Sequence, residues 1–182
     1  MIFTVANQLT LLRMLLIPAF VLLVVYGYFG WALVIFAVAG LTDALDGLIA
    51  RATHQKTDLG AWLDPAADKL LLVTTFIVLT LPNIGLTNRI PIWLTVLIIS
   101  RDVGIVLTVA IVGLAMGPRT FKPSLLGKGA TALYILTCVV VMFFNYLGTT
   151  SWIVAAFIWA SLAITLASGI DYIFRVARII NQ

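Results

Sequence analysis

The chain has 182 residues, of which 63% are hydrophobic and only 10% are charged, and its net charge is +4. A soluble domain carries about 25% charged residues, so this composition excludes a water-soluble globular protein and indicates an integral membrane protein. The length fits one domain over residues 1–182. The single cysteine, Cys138, excludes an intrachain disulfide and a multi-cysteine metal site.

Six apolar runs have about the 20-residue length that a helix needs to cross a bilayer. They predict an all-α protein with helices over residues 8–27, 31–51, 61–81, 91–116, 125–146 and 152–175. Glycine at 27 and proline at 82 mark two of the breaks, and Pro91 suits the first turn of the fourth helix. The first run has no basic start and no small-residue cleavage site, so we expect a retained span.

The basic residues are distributed unequally between the two ends of the predicted spans. An even number of spans places both termini on one side, and this side holds Arg13, Arg51, Lys56, Arg119, Lys122, Lys128, Arg175 and Arg178. The opposite side holds only Arg89. Lysine and arginine concentrate in cytoplasmic loops, so both termini are predicted to be cytoplasmic, in a bacterial inner membrane.

Four aspartates stand where the second predicted helix ends and the third begins. Asp43 and Asp46 are three residues apart, and Asp64 and Asp68 are four apart, so each pair shares a helix face. The short connection between the helices predicts that the four carboxylates converge near the cytoplasmic interface. Their mutual repulsion needs a positive partner, and carboxylate oxygens suit hard divalent cations. We therefore predict Mg²⁺ or Mn²⁺, with room for two ions.

Other interpretations of the aspartates exist. Asp64 before Pro65 resembles a helix N-cap. Intramembrane aspartates also form ion paths in transporters, although transporters usually show a repeat symmetry that is not visible here. A non-catalytic scaffold would leave the four carboxylates without a role.

Small residues and one arginine accompany the acids. Gly47, Ala50 and Gly60 allow a ligand or a neighbouring helix to approach the backbone closely. Arg51 either binds a phosphate with its planar fork or anchors the helix at the inner surface.

Together these residues form one pattern of eight fixed positions within 26 residues: Asp43, Asp46, Gly47, Ala50, Arg51, Gly60, Asp64 and Asp68. The pattern resembles the complete motif of the CDP-alcohol phosphatidyltransferase family, without a departure at any fixed position. Eight matches at about one in twenty each leave little room for coincidence.

The resemblance implies a role for each motif residue. Asp43, Asp46, Asp64 and Asp68 match the metal ligands, and Asp68 also matches the candidate general base. The surroundings of the cytidine diphosphate are matched by Asp43, Gly47, Ala50, Arg51 and Gly60. The family's donor is a CDP-linked lipid such as CDP-diacylglycerol, its members are usually homodimers, and the site opens to the cytosol. No nucleic-acid partner is expected.

Shorter matches point to a glycerol-type acceptor. The segment from Asn7 to Arg13, followed by Pro18, resembles the branch that holds phosphatidylglycerophosphate synthases and the CDP-alcohol type of cardiolipin synthase. The segments 39–42, 99–103 and 122–128 look closer to the latter, but phosphatidylglycerol and glycerol 3-phosphate both stay open, and an inositol phosphate fits less well.

Either leading acceptor carries a phosphate. Its candidate ligands are Arg13, Arg101, Arg119 and Lys128. Arg101 lies inside the fourth span and needs a partner; the alternatives to a substrate are Asp102 and Asp171. Because adjacent residues point in different directions on a helix, Asp102 is the poorer of these two. Asp171 could also pair with Arg175, one turn later.

Overall fold

The computed structural model describes the backbone of residues 5–53, 58–116 and 124–180, and the side chains of residues 11–42, 69–112, 114 and 124–178. Within these ranges the secondary structure is entirely helical. The helices are α1 (Val5–Val25), α2 (Phe29–Thr53), α3 (Asp58–Thr80), α4 (Ile92–Met116), α5 (Leu125–Tyr146) and α6 (Trp152–Ile180). The six helices predicted from the apolar runs are thus confirmed.

The largest difference from prediction is at the end of α6, which continues to Ile180 rather than ending near residue 175. No proline or glycine follows Asp171 to stop it, and Arg175 Nε contacts Asp171 Oδ2 at 2.9 Å, one turn apart, as predicted. Arg178 in the last turn also suits the negative end of the helix dipole. The helix therefore extends beyond the apolar stretch that revealed it.

Two helices end in the same glycine turn. After α1, Gly27 has a φ of +79°, the Gly27 N–H donates to Val24 O, and the Tyr28 N–H donates to Leu23 O. After α5, Gly148 has a φ of +65° and the same two bonds recur. This Schellman geometry satisfies the last carbonyls of a helix and needs a residue that tolerates positive φ. The predicted break after the first span is thereby explained.

The chain divides into two compact units. The first comprises residues 1–89 and 141–150, and the second comprises residues 90–140 and 151–182. In the first unit α1 packs against both α2 and α3. The rings of Phe20 and Phe36 meet at 6.0 Å between centroids, and Phe76 of α3 is fully buried. α1 thus holds α2 and α3 in one unit.

A polar clamp closes the first unit at the far end of α3. The Asn145 side chain accepts a hydrogen bond from the Asn88 N–H (2.9 Å) and donates to Asn88 O (2.8 Å) and Val141 O (2.8 Å). The Asn88 side chain donates to Thr149 O at 2.7 Å. Buried backbone groups need such partners, so this clamp satisfies a loop that has no regular structure of its own.

In the second unit, hydroxyl groups connect the helices. The Tyr134 and Thr165 hydroxyls lie 2.7 Å apart, and those of Thr137 and Ser161 lie 2.8 Å apart, so two bonds join α5 to α6. The Tyr172 hydroxyl donates to Ile105 O and joins α6 to α4. Hydrogen bonds between helices are a regular means of association in lipid, where burial of apolar surface adds no driving force.

The outward-facing side chains are apolar, which suits a lipid environment. Leu15 is 71% exposed, Leu114 is 89% exposed and Phe174 is 70% exposed. Three described stretches are long and apolar enough to cross a membrane: Ile92–Val112, Leu125–Tyr146 and Trp152–Arg178. The described apolar parts of α1, α2 and α3 are shorter. The protein is a membrane protein, and the full count of six spans with cytoplasmic termini stays a prediction.

Candidate active site

The acidic motif lies on two consecutive helices of the first unit. Asp43 and Asp46 fall in the last three turns of α2, and Asp64 and Asp68 fall in the first three turns of α3. Both helices pack against α1. The chain places the four acids on either side of the connection between α2 and α3, as the spacing predicted. Their side chains lie outside the described residues, so the convergence of the carboxylates stays a prediction.

The other motif positions share this location. Gly47, Ala50 and Arg51 belong to the same end of α2, and Gly60 belongs to the first turn of α3. Their side-chain surroundings also lie outside the described residues, and Arg119 lies outside them altogether. No group of three potential metal ligands occurs among the residues that the structure does describe. Carboxylate oxygens are the donors that Mg²⁺ and Mn²⁺ prefer, so the four aspartates fit such a metal by their chemistry.

Arg13 of α1 belongs to the same unit as the aspartates. Its side chain is completely buried and is the largest among the fully buried side chains of the described residues. A guanidinium buried inside a membrane protein rarely serves packing alone, because the cost of removing its charge from water must be offset. The role of Arg13 in binding the acceptor stays a prediction.

Arg101 lies in the interior of α4, where its side chain is only 10% exposed. Its Nη1 contacts Asp102 Oδ1 at 2.7 Å. The expectation that Asp171 would be the better partner was wrong, since Asp171 pairs with Arg175. The long arginine stem bends towards the carboxylate of the next residue, which the directions of the Cβ atoms alone do not reveal.

The first turn of α5 lies against the other edge of the Arg101 guanidinium. A Cβ atom placed on Gly127 would be 3.4 Å from Arg101 Nη2 and 3.1 Å from Ser124 Oγ. Ser124 caps this helix, because its Oγ accepts a hydrogen bond from the Gly127 N–H at 2.8 Å. Lys128 is exposed in the same turn. Of the predicted acceptor ligands, Arg101 thus lies beside Gly127 in the second unit, and Lys128 is the next residue along α5.

Two neighbours of Arg101 were not predicted as site residues. Ser124 would have been recognisable as an N-cap from its position before an apolar run. Tyr134 lies two turns further along α5 and is buried. A tyrosine within an apolar run gives no such signal in the sequence.

The first unit also contains a cavity of about 580 Å³, lined by Gly27, Tyr28, Trp31, Phe143, Tyr146 and their neighbours. It opens where α1 ends and α2 begins. At 1.5 Å per residue, the rise of α2 separates Trp31 from Asp43 by roughly 18 Å. The cavity is therefore not the site that the aspartates define.

An all-helical membrane protein with a carboxylate-rich helix pair and buried arginines is suited to the chemistry of phosphate esters at a membrane. The sequence profile of the CDP-alcohol phosphatidyltransferase family matches residues 3–169, and the chain belongs to this family. It is therefore a transferase of phospholipid biosynthesis. Members use CDP-alcohol donors and alcohol acceptors, and they generally depend on a divalent metal.

Individual relatives cover nearly the whole chain. A probable phosphatidylglycerophosphate synthase of Mycobacterium tuberculosis is 34% identical, over 95% of this chain and 81% of its own length. A cardiolipin synthase (CMP-forming) of Streptomyces coelicolor is 30% identical, over 99% of this chain and 86% of its own length. A human cardiolipin synthase (CMP-forming) is 34% identical, over 96% of this chain and 62% of its own length. The predicted family is confirmed, and the relatives carry the names of both enzyme types of the expected branch.

Proposed function

We propose that the protein transfers the phosphatidyl group of CDP-diacylglycerol to a hydroxyl of a glycerol-type acceptor, with release of CMP. The acceptor is glycerol 3-phosphate or phosphatidylglycerol, and the product is phosphatidylglycerophosphate or cardiolipin. The observation that carries this proposal is the complete eight-position motif, which lies at the end of α2 and the start of α3. The relatives named phosphatidylglycerophosphate synthase and cardiolipin synthase support the glycerol-type acceptor.

The motif residues divide into two groups by their chemistry. Asp43, Asp46, Asp64 and Asp68 would hold Mg²⁺ or Mn²⁺, in a set large enough for two ions. Bound there, the metal would neutralise the phosphates of the donor and the departing CMP. The remaining residues would surround the cytidine diphosphate: Gly47, Ala50, Arg51 and Gly60, together with Asp43. The glycines leave space for the ligand, and the planar fork of Arg51 suits a phosphate oxygen.

The proposed reaction is a substitution at phosphorus. The acceptor oxygen forms a bond to the lipid-side phosphorus while the bond from that phosphorus to the CMP oxygen breaks. Asp68 accepts the proton of the attacking hydroxyl, directly or through water. Phosphoryl transfer depends mainly on positioning and on stabilisation of charge, which explains why the motif consists of charged and small residues.

The acceptor phosphate is assigned to Arg13, Arg101, Arg119 and Lys128. Arg101 has the strongest support, because a charge buried inside a membrane helix is costly unless it has a partner or a function. Among the described residues its buried Nε donates no hydrogen bond, while Nη1 is held by Asp102. On the same guanidinium, Nη2 lies beside Gly127, which has no side chain to occupy the space there.

The membrane arrangement completes the proposal. We propose six spans with both termini in the cytoplasm, because eight basic residues would lie on that side and one on the other. The protein would lie in a bacterial inner membrane as a homodimer, with the active site at the cytoplasmic face, and would bind CDP-diacylglycerol from the surrounding lipid.

The test is an assay of CMP release by the purified protein with CDP-diacylglycerol and Mg²⁺ or Mn²⁺. Glycerol 3-phosphate and phosphatidylglycerol are offered separately, and the lipid products are identified by mass. Release with glycerol 3-phosphate identifies a phosphatidylglycerophosphate synthase, and release only with phosphatidylglycerol identifies a cardiolipin synthase. Release with neither, when an inositol phosphate supports turnover, would overturn the proposed acceptor. A chelator should stop the reaction, and the same metal should restore it.

A further inference from the structure

Asp102, the residue after Arg101 on α4, carries a carboxylate to which the proposed function gives no role. The side chain of Asp102 is only 11% exposed, and its Oδ1 lies 2.7 Å from Arg101 Nη1. Side chains of adjacent residues leave a helix about 100° apart, so the two must bend towards each other to meet. Such a contact fixes the guanidinium in one orientation, because the planar fork allows only a few hydrogen-bond geometries.

The contact with Asp102 engages Nη1 and leaves the opposite edge of the guanidinium, formed by Nε and Nη2, without this partner. The Nε is buried and has no hydrogen-bond partner among the described residues. The Nη2 is directed at the first turn of α5, within 3.4 Å of the place that a Cβ on Gly127 would occupy. The absence of a side chain at this position keeps space beside Nη2. The Nε and Nη2 edge is also the one with which an arginine binds two oxygens of a phosphate.

The setting of this edge favours an anion. It lies at the amino-terminal end of α5, which Ser124 caps, and the partial positive charge of a helix start favours a phosphate. Lys128 adds a full positive charge in the same turn. A buried donor that stays unsatisfied costs about 1–3 kcal/mol, and an oxygen of the substrate would remove that cost.

We propose that Asp102 is a positioning residue, which holds Nη1 of Arg101 so that the Nε and Nη2 edge faces the phosphate of the acceptor at the start of α5. The proposal rests on the proposed function, in which Arg101 binds this phosphate. In this role Asp102 touches no substrate and acts through Arg101. Its effect is therefore confined to the acceptor and does not extend to the CDP-linked donor.

In the alternative role, Asp102 competes with the acceptor phosphate for Arg101 and only neutralises the positive charge. The two roles predict opposite changes in the acceptor KM when Asp102 is removed. If Asp102 competes with the substrate, its removal frees the positive charge and lowers the acceptor KM. If Asp102 positions the guanidinium, its removal lets Arg101 turn away and raises the acceptor KM.

The experiment compares Asp102→Asn and Asp102→Ala with the unchanged protein, in kinetics that vary the acceptor and CDP-diacylglycerol separately. Asparagine keeps an oxygen that accepts from Nη1, whereas alanine keeps none. The acceptor KM should rise about threefold for asparagine and about tenfold for alanine, as expected for the weakening and the loss of a charge-assisted hydrogen bond. The donor KM should stay within about twofold, since Asp102 has no role towards the donor.

A double-mutant cycle separates positioning from a general structural role. Arg101→Ala alone should raise the acceptor KM, and adding Asp102→Ala to it should produce no further rise. The matched control is Asp171→Ala, which removes the other described arginine–aspartate pair at a more exposed place and should change neither KM. If Asp102→Ala does not fold, Asp102→Asn carries the test, with the fold monitored by circular dichroism in detergent.

The assignment of Arg101 to the acceptor site and the positioning role of Asp102 are refuted by different results. An unchanged acceptor KM in Arg101→Ala would remove Arg101 from the acceptor site and so overturn that part of the proposed function. A raised KM in Arg101→Ala together with an unchanged or lowered KM in the Asp102 variants would overturn the positioning role alone. Equal rises in the KM of donor and acceptor would do so as well.

Discussion

The clamp between Asn145 and the loop before α4 gives a quantitative prediction about stability. Asn145→Ala removes three hydrogen bonds and leaves both backbone groups of Asn88 without their partner. Asn88→Ala removes only the bond from its side chain to Thr149 O. At about 1 kcal/mol for each bond, the free energy of unfolding should fall by about 3 kcal/mol for the first variant and about 1 kcal/mol for the second.

The assay is unfolding by sodium dodecyl sulfate in mixed micelles, followed by far-ultraviolet circular dichroism. Thr108→Val is the control, because it removes an equally short bond, 2.7 Å to Gly104 O, which is exposed and lies within one helix. This control should change the free energy of unfolding by less than about 0.5 kcal/mol. Equal losses for the Asn145 and Asn88 variants, or a loss below about 0.5 kcal/mol for Asn145→Ala, would refute the view that this side chain carries the clamp.

Three further predictions each concern a substitution at one position. Gly30→Ala would place a methyl group 2.9 Å from two ring carbons of Tyr146, so the free energy of unfolding should fall by about 1 kcal/mol. Adding Tyr146→Ala to this variant should recover that loss. A loss that persists would locate the strain elsewhere. Tyr134→Phe removes the hydroxyl from its bond with Thr165 and should cost about 0.6 kcal/mol in the same unfolding assay; no measurable change would mean that this bond does not stabilise the helix pair. Asp68→Asn should lower CMP release by at least about a hundredfold while circular dichroism stays unchanged; near-normal turnover would exclude Asp68 as the base.

The sequence predicted the helices well, because the signal for each lies within the helix itself. Long apolar runs predicted α4, α5 and α6, and glycine at 27, which has a positive φ, marked the end of α1. The aspartate motif was located on α2 and α3 by its spacing alone. What stays untested is the convergence of its carboxylates, since that depends on side chains outside the described ranges.

The contacts between distant segments could not be predicted in the same way. Asn88 and Asn145 are 57 positions apart, and an asparagine in a loop gives no indication of its partner. The pair of Arg101 and Asp102 was misjudged for a different reason. The rule for neighbours on a helix describes where side chains begin, whereas the ends of an arginine and an aspartate meet through several rotatable bonds.

The hydroxyl bonds between α5 and α6 have a consequence for the biogenesis of the protein. The Thr137 hydroxyl also donates to Leu133 O, and the Thr165 hydroxyl also donates to Ser161 O, each within its own helix. Both threonine side chains therefore have an acceptor in their own helix before the neighbouring helix arrives, which removes the cost of an unsatisfied threonine donor in the lipid during insertion. The oxygen atoms keep lone pairs for the later contact. For these two threonines, the association of α5 with α6 in the bilayer adds a second hydrogen bond and breaks none.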